Sequence, residues 1–203
     1  MIAVIDYGGG NLGSLISALV RRKADFNVTS DPAALATSEA AILPGDGAFG
    51  ATMAALRSRG LDVAIRANFS AKRPFLGICV GMQLLYESSD ERGEHAGLGM
   101  LAGRVSRFAA APRVPHMGWN SLEIVADHPF VRGLPAGSYA YFLHSYRAPV
   151  DAYTLATTEH GERFAAIVAH GNVMATQFHP EKSQATGACL LDNFIALSAA
   201  VAR

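Results

Sequence analysis

The sequence predicts an α/β fold in one domain, residues 1–203: a central, mostly parallel sheet flanked by helices, plus a mixed or antiparallel extension in the second half. Three observations predict it. Up to about Glu91, short apolar runs alternate with segments whose apolar residues recur at helical spacing, the pattern of strands joined by crossover helices. Beyond Glu91 the runs become short and β-like and are broken by Gly and Pro. Length and composition also fit, since 203 residues, 50% of them hydrophobic, can bury a sizeable core.

Taken in order, residues 2–6 form a short buried strand and Tyr7-Gly8-Gly9-Gly10-Asn11 a loop. Leu12, Leu15, Ile16, Leu19 and Val20 then mark one helical face, ending in Arg21-Arg22-Lys23, where the helix dipole favours cations. A second strand covers 26–29, and Asp31 or Ser30 is placed to cap a short turn at Pro32. A third strand at 40–43 runs into Pro44-Gly45-Asp46-Gly47, and helices follow at 51–59 and 61–68. A fourth strand at 74–78 runs into Gly77-Ile78-Cys79-Val80-Gly81, with a helix-like pattern beyond it. In the second half, residues 139–143, 153–157, 164–168 and 173–177 read as hairpin-connected strands, with turns at Glu159-His160-Gly161-Glu162 and His170-Gly171-Asn172. A last helix covers 184–200.

Bulk properties exclude several function classes. Net charge is +0 and the pI is about 7.1, so no basic footprint points to nucleic acid. No apolar stretch approaches the ~20 residues that span a bilayer, and the N-terminal run lacks the basic flank of a signal peptide. Cys79 and Cys189 lie far apart and outside any Cys-x-x-Cys pair, which points to a reducing cytoplasm and against a metal–thiolate site; no metal or cofactor is expected.

The most informative stretch is Gly77-Ile78-Cys79-Val80-Gly81. Gly-x-Cys-x-Gly between a strand and a helix is the form of a nucleophile elbow, with Cys in place of the more familiar Ser. The glycines keep space clear around a strained backbone position, and a helix N-terminus aimed at the sulfur favours thiolate. A buried structural Cys is the competing reading. Pro44-Gly45-Asp46-Gly47, between a strand and a helix, can aim backbone N–H groups into the crevice at the strand ends, as an oxyanion hole requires. Gly8-Gly9-Gly10-Asn11-Leu12-Gly13 satisfies the dinucleotide pattern G-x-G-x-x-G, but a tight loop with positive φ is the better reading, because no acidic residue ends the second strand.

Of seven histidines, His95, His160 and His170 read as solvated, His128 as a loop residue before Pro129, and His116 and His144 as structural hydrogen-bonding groups among aromatics. His179 differs. It closes a strand and is followed by Pro180-Glu181. In extended backbone, residues i and i+2 point the same way. Glu181 can then accept one ring N–H of His179 and leave the other nitrogen free for Cys79, the relation of nucleophile, base and orienter.

With Gly77-Ile78-Cys79-Val80-Gly81-Met82-Gln83 and Gln177-Phe178-His179-Pro180-Glu181-Lys182-Ser183 in hand, the chain resembles the class I (triad) glutamine amidotransferases. Asp6-Tyr7-Gly8-Gly9-Gly10-Asn11, Pro115-His116-Met117-Gly118-Trp119-Asn120 and Tyr141-Phe142-Leu143-His144-Ser145-Tyr146 narrow the resemblance to the glutaminase subunits of imidazole glycerol phosphate synthase. The resemblance implies hydrolysis of L-glutamine to glutamate and ammonia. It also implies a heterodimer in which a separate (β/α)8-barrel cyclase subunit uses the ammonia to make imidazole glycerol phosphate and AICAR in histidine biosynthesis. It implies Cys79 as nucleophile, His179 as base and acid, and Glu181 as orienter. The amides of Gly47 and Val80 would stabilise the oxyanion. Gln83, Glu91, Ser145 and Tyr146 would hold glutamine, and Asn11, Trp119, Tyr141 and Lys182 would lie at or near the cyclase interface. Asp46 departs from the Val common at its position and is expected to face solvent. The oxyanion turn is expected to be misaligned until the partner corrects it. Two enzyme alternatives stay open: the glutaminase of pyridoxal phosphate synthesis and a Cys hydrolase without ammonia channelling. A third, from another class, is a binding module using the Gly8–Gly13 loop.

Overall fold

In the computed structural model, which describes residues 1–10 and 12–201, an eight-stranded sheet runs through the molecule. The elements in chain order are β1 (Ile2–Ile5), α1 (Leu12–Arg21), β2 (Phe26–Thr29), α2 (Pro32–Thr37), β3 (Ala40–Leu43), α3 (Phe49–Ser58), α4 (Leu61–Ser70), β4 (Phe75–Ile78) and α5 (Val80–Gln83). There follow β5 (Tyr86–Ser89), β6 (His95–Ala96), β7 (Leu101–Arg107), β8 (His116–Ser121), β9 (Glu123–Ile124), β10 (Tyr139–His144), β11 (Tyr146–Arg147), β12 (Thr154–Glu159), β13 (Arg163–His170), β14 (Val173–Thr176) and α6 (Gln184–Val201).

The large sheet has the order β2-β1-β3-β4-β14-β13-β12-β9. The pairs from β2 through to β14 are parallel, and those from β14 to β9 antiparallel. The expected mostly parallel sheet with an antiparallel extension is therefore what forms. Strand alternation splits the core into two layers. Ile2, Val4, Ile42 and Leu76 pack with Leu15 and Leu19 of α1 and with Leu190 and Phe194 of α6. Ala3, Ile5, Ala41 and Phe75 pack with Met53 and Leu56 of α3 and Ile65 of α4. Both faces are covered, which is why these strands read as continuous apolar runs.

Four local expectations change. The segment at Pro32 is a six-residue helix rather than a turn, capped by Asp31, whose side chain accepts from Ala33 N. The helix after Cys79 is a single turn, because the Leu84 and Leu85 carbonyls are taken up by the N–H groups of Leu98, Met100 and Leu101. Residues 139–144 do not join the hairpin series. They pair with β8 as a separate two-stranded ribbon, with Tyr141 opposite Trp119 and Leu143 opposite Met117. His95 and His160 are half-buried rather than solvated: a Cβ on Gly50 would meet the His95 ring at 2.6 Å, and His160 stacks on His116 with centroids 4.2 Å apart.

Candidate active site

Three adjacent parallel strands, β3, β4 and β14, end together, and each delivers one part of the site. The carboxyl edge of a parallel sheet is where such crevices form. From β3 comes the turn Pro44–Gly47, from β4 the elbow at Cys79, and from β14 the segment Gln177–Glu181. The cleft they share has a volume of about 320 Å³.

Cys79 sits at φ 53°, ψ −113°, a strained position for a side-chain-bearing residue and the mark of an elbow. Its N–H donates to Thr176 O at 2.7 Å, tying the elbow to the end of β14. Close backbone contacts explain the neighbouring glycines. A Cβ on Gly81 would meet Leu43 O at 2.4 Å, and one on Gly45 would meet Ile78 O at 1.9 Å and Val80 N at 2.7 Å. Gly45 therefore lets the β3 turn lie directly on the elbow, which brings Gly47 and Val80 into one cleft.

His179 Nδ1 donates to Glu181 Oε1 at 2.8 Å, and His179 and Cys79 line the same cleft. The His179–Glu181 pairing drawn from the sequence forms, but on the single 3-10 turn Pro180–Lys182 that follows His179 rather than on extended chain. Burial pushes the imidazolium pKa of His179 down, but the Cys79 sulfur and the Glu181 carboxylate outweigh burial and hold it up at about 10. The ring is thus held as the imidazolium. With α5 only one turn long, it offers Cys79 little helix dipole.

Gln83, Glu91, Ser145, Tyr146 and Lys182 all line the cleft. Gln83 is buried; its Nε2 donates to Tyr146 O at 2.9 Å and to Gln177 Oε1 at 3.0 Å. Glu91 accepts from Phe49 N at 2.7 Å, on the first turn of α3. Asp46 is exposed at the rim, as expected. Trp119 and Tyr141 lie on the ribbon with centroids 6.0 Å apart. Asn11 lies outside the described residues. Among the described residues no group of three His, Cys, Asp or Glu side chains is arranged to hold a metal ion. The Gly8–Gly10 stretch is a tight loop with positive φ at Gly8 and Gly10, which meets the structural expectation for it.

Two residues escaped sequence reasoning. Gln177 is fully buried and turns its Nε2 toward Cys79 Sγ at 3.9 Å. The signal was an amide just past the end of a mostly apolar run. Tyr7 hydrogen-bonds Asp46 across the β1 and β3 strand ends, and nothing local signals that contact.

The chain matches the family "glutamine amidotransferase class-I" over residues 3–197. It belongs to that family. This amidotransferase is 48% identical to the imidazole glycerol phosphate synthase subunit HisH of Synechococcus sp. (strain JA-3-3Ab), over 96% of this chain and 92% of the relative. It is 48% identical to HisH of Salinibacter ruber, over 97% and 94% of the two chains. HisH of Dehalococcoides mccartyi is 45% identical, over 98% of both. Among solved structures, a glutamine amidotransferase superposes with a TM-score of 0.77 at 22% identity, covering 98% of each chain. A chain of PurLQS from Thermotoga maritima gives 0.72 at 20% identity, covering 97% of each chain. These two likenesses bear on the fold alone, and they agree with the sheet described above.

Proposed function

We infer that this amidotransferase is the glutaminase subunit of an imidazole glycerol phosphate synthase. It hydrolyses glutamine to glutamate and ammonia and passes the ammonia to a cyclase subunit with a (β/α)8 barrel, in histidine biosynthesis. The observation that carries this reading is the His179–Glu181 pair sharing a cleft with Cys79 at three adjacent strand ends, in a chain similar over nearly its whole length to HisH proteins.

The chemistry follows from the geometry. The Cys79 thiolate attacks the side-chain carboxamide carbon of glutamine, and the S–C bond forms as the carbonyl becomes an oxyanion. The Gly47 and Val80 amides receive that charge. His179 gives its proton to the leaving nitrogen, the C–N bond breaks, and ammonia departs. His179 then takes a proton from water, whose oxygen attacks the thioester carbon; the C–S bond breaks, releasing glutamate and restoring the thiolate–imidazolium pair. Glu181 keeps the ring oriented throughout. Ser145, Tyr146, Gln83 and Glu91 surround the space for the amino-acid end of the substrate.

An exposed apolar face supports a partner. On the ribbon, Met117, Trp119 and Tyr139 are 63%, 47% and 58% exposed, and Lys182 lines the cleft. Apolar surface of this kind marks an interaction site. The test mixes the chain with a histidine-pathway cyclase and measures glutamate release with and without the nucleotide substrate. Release is expected to rise with the cyclase and again with the nucleotide. Absence of glutamate under all conditions, or activation only by the barrel enzyme of pyridoxal phosphate synthesis, overturns the reading.

A further inference from the structure

Ser183 lies between the 3-10 turn Pro180–Lys182 and the first turn of α6, is 1% exposed and does not line the cleft. Its backbone is fixed on both sides. Its N–H donates to Pro180 O at 3.1 Å, and its carbonyl accepts from Gly187 N at 3.1 Å. The start of α6 sits directly on the 3-10 turn, since a Cβ on Gly187 would meet Pro180 O at 1.7 Å. Gln184, next in the chain, has φ +46°, a conformation that a side-chain-bearing residue keeps only when its surroundings impose it. This junction holds the Ser183 hydroxyl in one place.

The hydroxyl makes two bonds. It donates to His179 O at 2.7 Å and accepts from Tyr141 N at 2.9 Å. The return bond is direct: His179 N donates to Tyr141 O at 3.2 Å. Both backbone groups of His179 are thus tied to both of Tyr141, one of them through the serine. The ribbon offers this edge because the N–H and C=O of one residue in an antiparallel strand point to the same side. Tyr141 turns both away from β8. Leu143, two residues along β10, shares that edge, and its carbonyl lies 3.8 Å from Cys79 Sγ. The large sheet no longer holds His179. Gln177 N still donates to Ala166 O of β13 at 2.9 Å, but two residues on the chain has passed to β10.

We propose that Ser183 is a positioning residue for His179: its hydroxyl completes a two-bond clasp between the backbone of that histidine and Tyr141, and so sets where the imidazole stands beside Cys79. This rests on Cys79 and His179 as the reacting pair of the glutaminase reading. Ser183 touches neither substrate nor sulfur. Glu181 orients the ring about its own bonds, whereas the clasp places the backbone that carries the ring. Without the hydroxyl, the Tyr141 N–H loses its acceptor, and His179 O keeps its bond from Lys182 N at 3.0 Å.

The test is Ser183→Ala, which removes one oxygen and keeps the backbone. Three measurements are made. Amide hydrogen exchange at Tyr141 in the full chain is expected to speed up about 10-fold, as loss of one hydrogen bond implies, while amides of the large sheet keep their protection. Alkylation of Cys79 by iodoacetamide is followed against pH and read by peptide mass, which separates it from Cys189. With the imidazolium displaced, the midpoint of that profile is expected to rise by about 0.5 pH unit or more. Glutamine hydrolysis is measured in complex with the cyclase. Misplacing a reacting group by about 1 Å can cost about 100-fold, and loosening one of two ties is expected to lower kcat about 10-fold with KM unchanged. A lower folded fraction would also reduce kcat but would leave the alkylation midpoint where it is. Unchanged Tyr141 exchange, an unmoved midpoint or a level kcat each overturns the proposal. If the wild-type complex fails to hydrolyse glutamine while exchange and midpoint respond as expected, the glutaminase reading fails and the clasp stands.

Discussion

His116 and His144 form a hydrogen-bonded imidazole pair in which each ring has a single permitted tautomer. The Tyr146 carbonyl can only accept, so His144 Nδ1, 2.8 Å away, carries a proton and Nε2 is an acceptor. His116 Nδ1 must then donate across the 3.0 Å between the rings, which leaves its Nε2 to accept from Asn120 Nδ2 at 3.2 Å. The Asn120 amide cannot turn over to accommodate a further proton, because its Nδ2 also donates to Glu159 O and its Oδ1 accepts from Ser121 N. The pair therefore works only when both rings are neutral.

That arrangement gives the protein an acid limit. Burial pushes the His116 pKa down to about 4 and that of His144 to about 3, with His160 adding repulsion. In the unfolded chain both return to about 6.5. A depressed folded value means the contribution is complete above pH 6.5 and lost as pH falls toward 4 and 3. A loss on the order of 3 kcal/mol per ring by pH 4 is expected. Thermal melts between pH 7 and 4 read it directly; a midpoint that stays level over that range, or falls equally in His116→Gln, contradicts the assignment.

His179 has the opposite sign. Its folded pKa, about 10, lies above the unfolded value near 6.5. Its stabilising contribution is complete below pH 6.5 and disappears as pH rises through 10. Glu181→Gln removes the carboxylate that orients the ring, and kcat for glutamine hydrolysis is expected to drop by about 100-fold to 10,000-fold. A variant that keeps more than a tenth of wild-type kcat shows that Glu181 is not the orienter.

Cys79→Ala should abolish glutaminase activity and leave the fold and cyclase binding intact, because the side chain contributes only the reacting sulfur at the top of an otherwise backbone-built elbow. Titration calorimetry against the cyclase and a glutamate assay on the same sample check both halves. Residual turnover at the wild-type rate would remove Cys79 from the role of nucleophile.

Two glycines make a matched pair. Gly45→Ala drives a methyl group to within 1.9 Å of Ile78 O and forces the β3 turn off the elbow. Glutaminase activity should vanish, with about 1–3 kcal/mol of stability lost to overpacking. Gly13→Ala, in α1, meets nothing within 4 Å. It should stabilise the chain by about 0.5–1 kcal/mol through the lower entropy of its unfolded state. Denaturant melts of the two variants, run side by side, would refute this explanation if they moved in the same direction.

The sequence by itself determined whatever depends on residues near one another in the chain. Strand and helix periods placed the parallel half and the antiparallel extension, since alternation and helical spacing are local properties. The elbow was legible because Gly-x-Cys-x-Gly encodes its own backbone demand, and the His179–Glu181 pair because the two residues lie only two apart, although the 3-10 turn Pro180–Lys182 rather than extended chain brings them together. The length of α5 was not legible, because distant amides, those of Leu98, Met100 and Leu101, claim the carbonyls that would have carried it further. Only the tertiary structure decided that β3, β4 and β14 lie side by side, which turned three separate motifs into one cleft. It also decided the contacts between Gln83 and Gln177, 94 residues apart, and between Tyr7 and Asp46, 39 apart. Strand order sets those distances, and no periodicity in the chain records strand order.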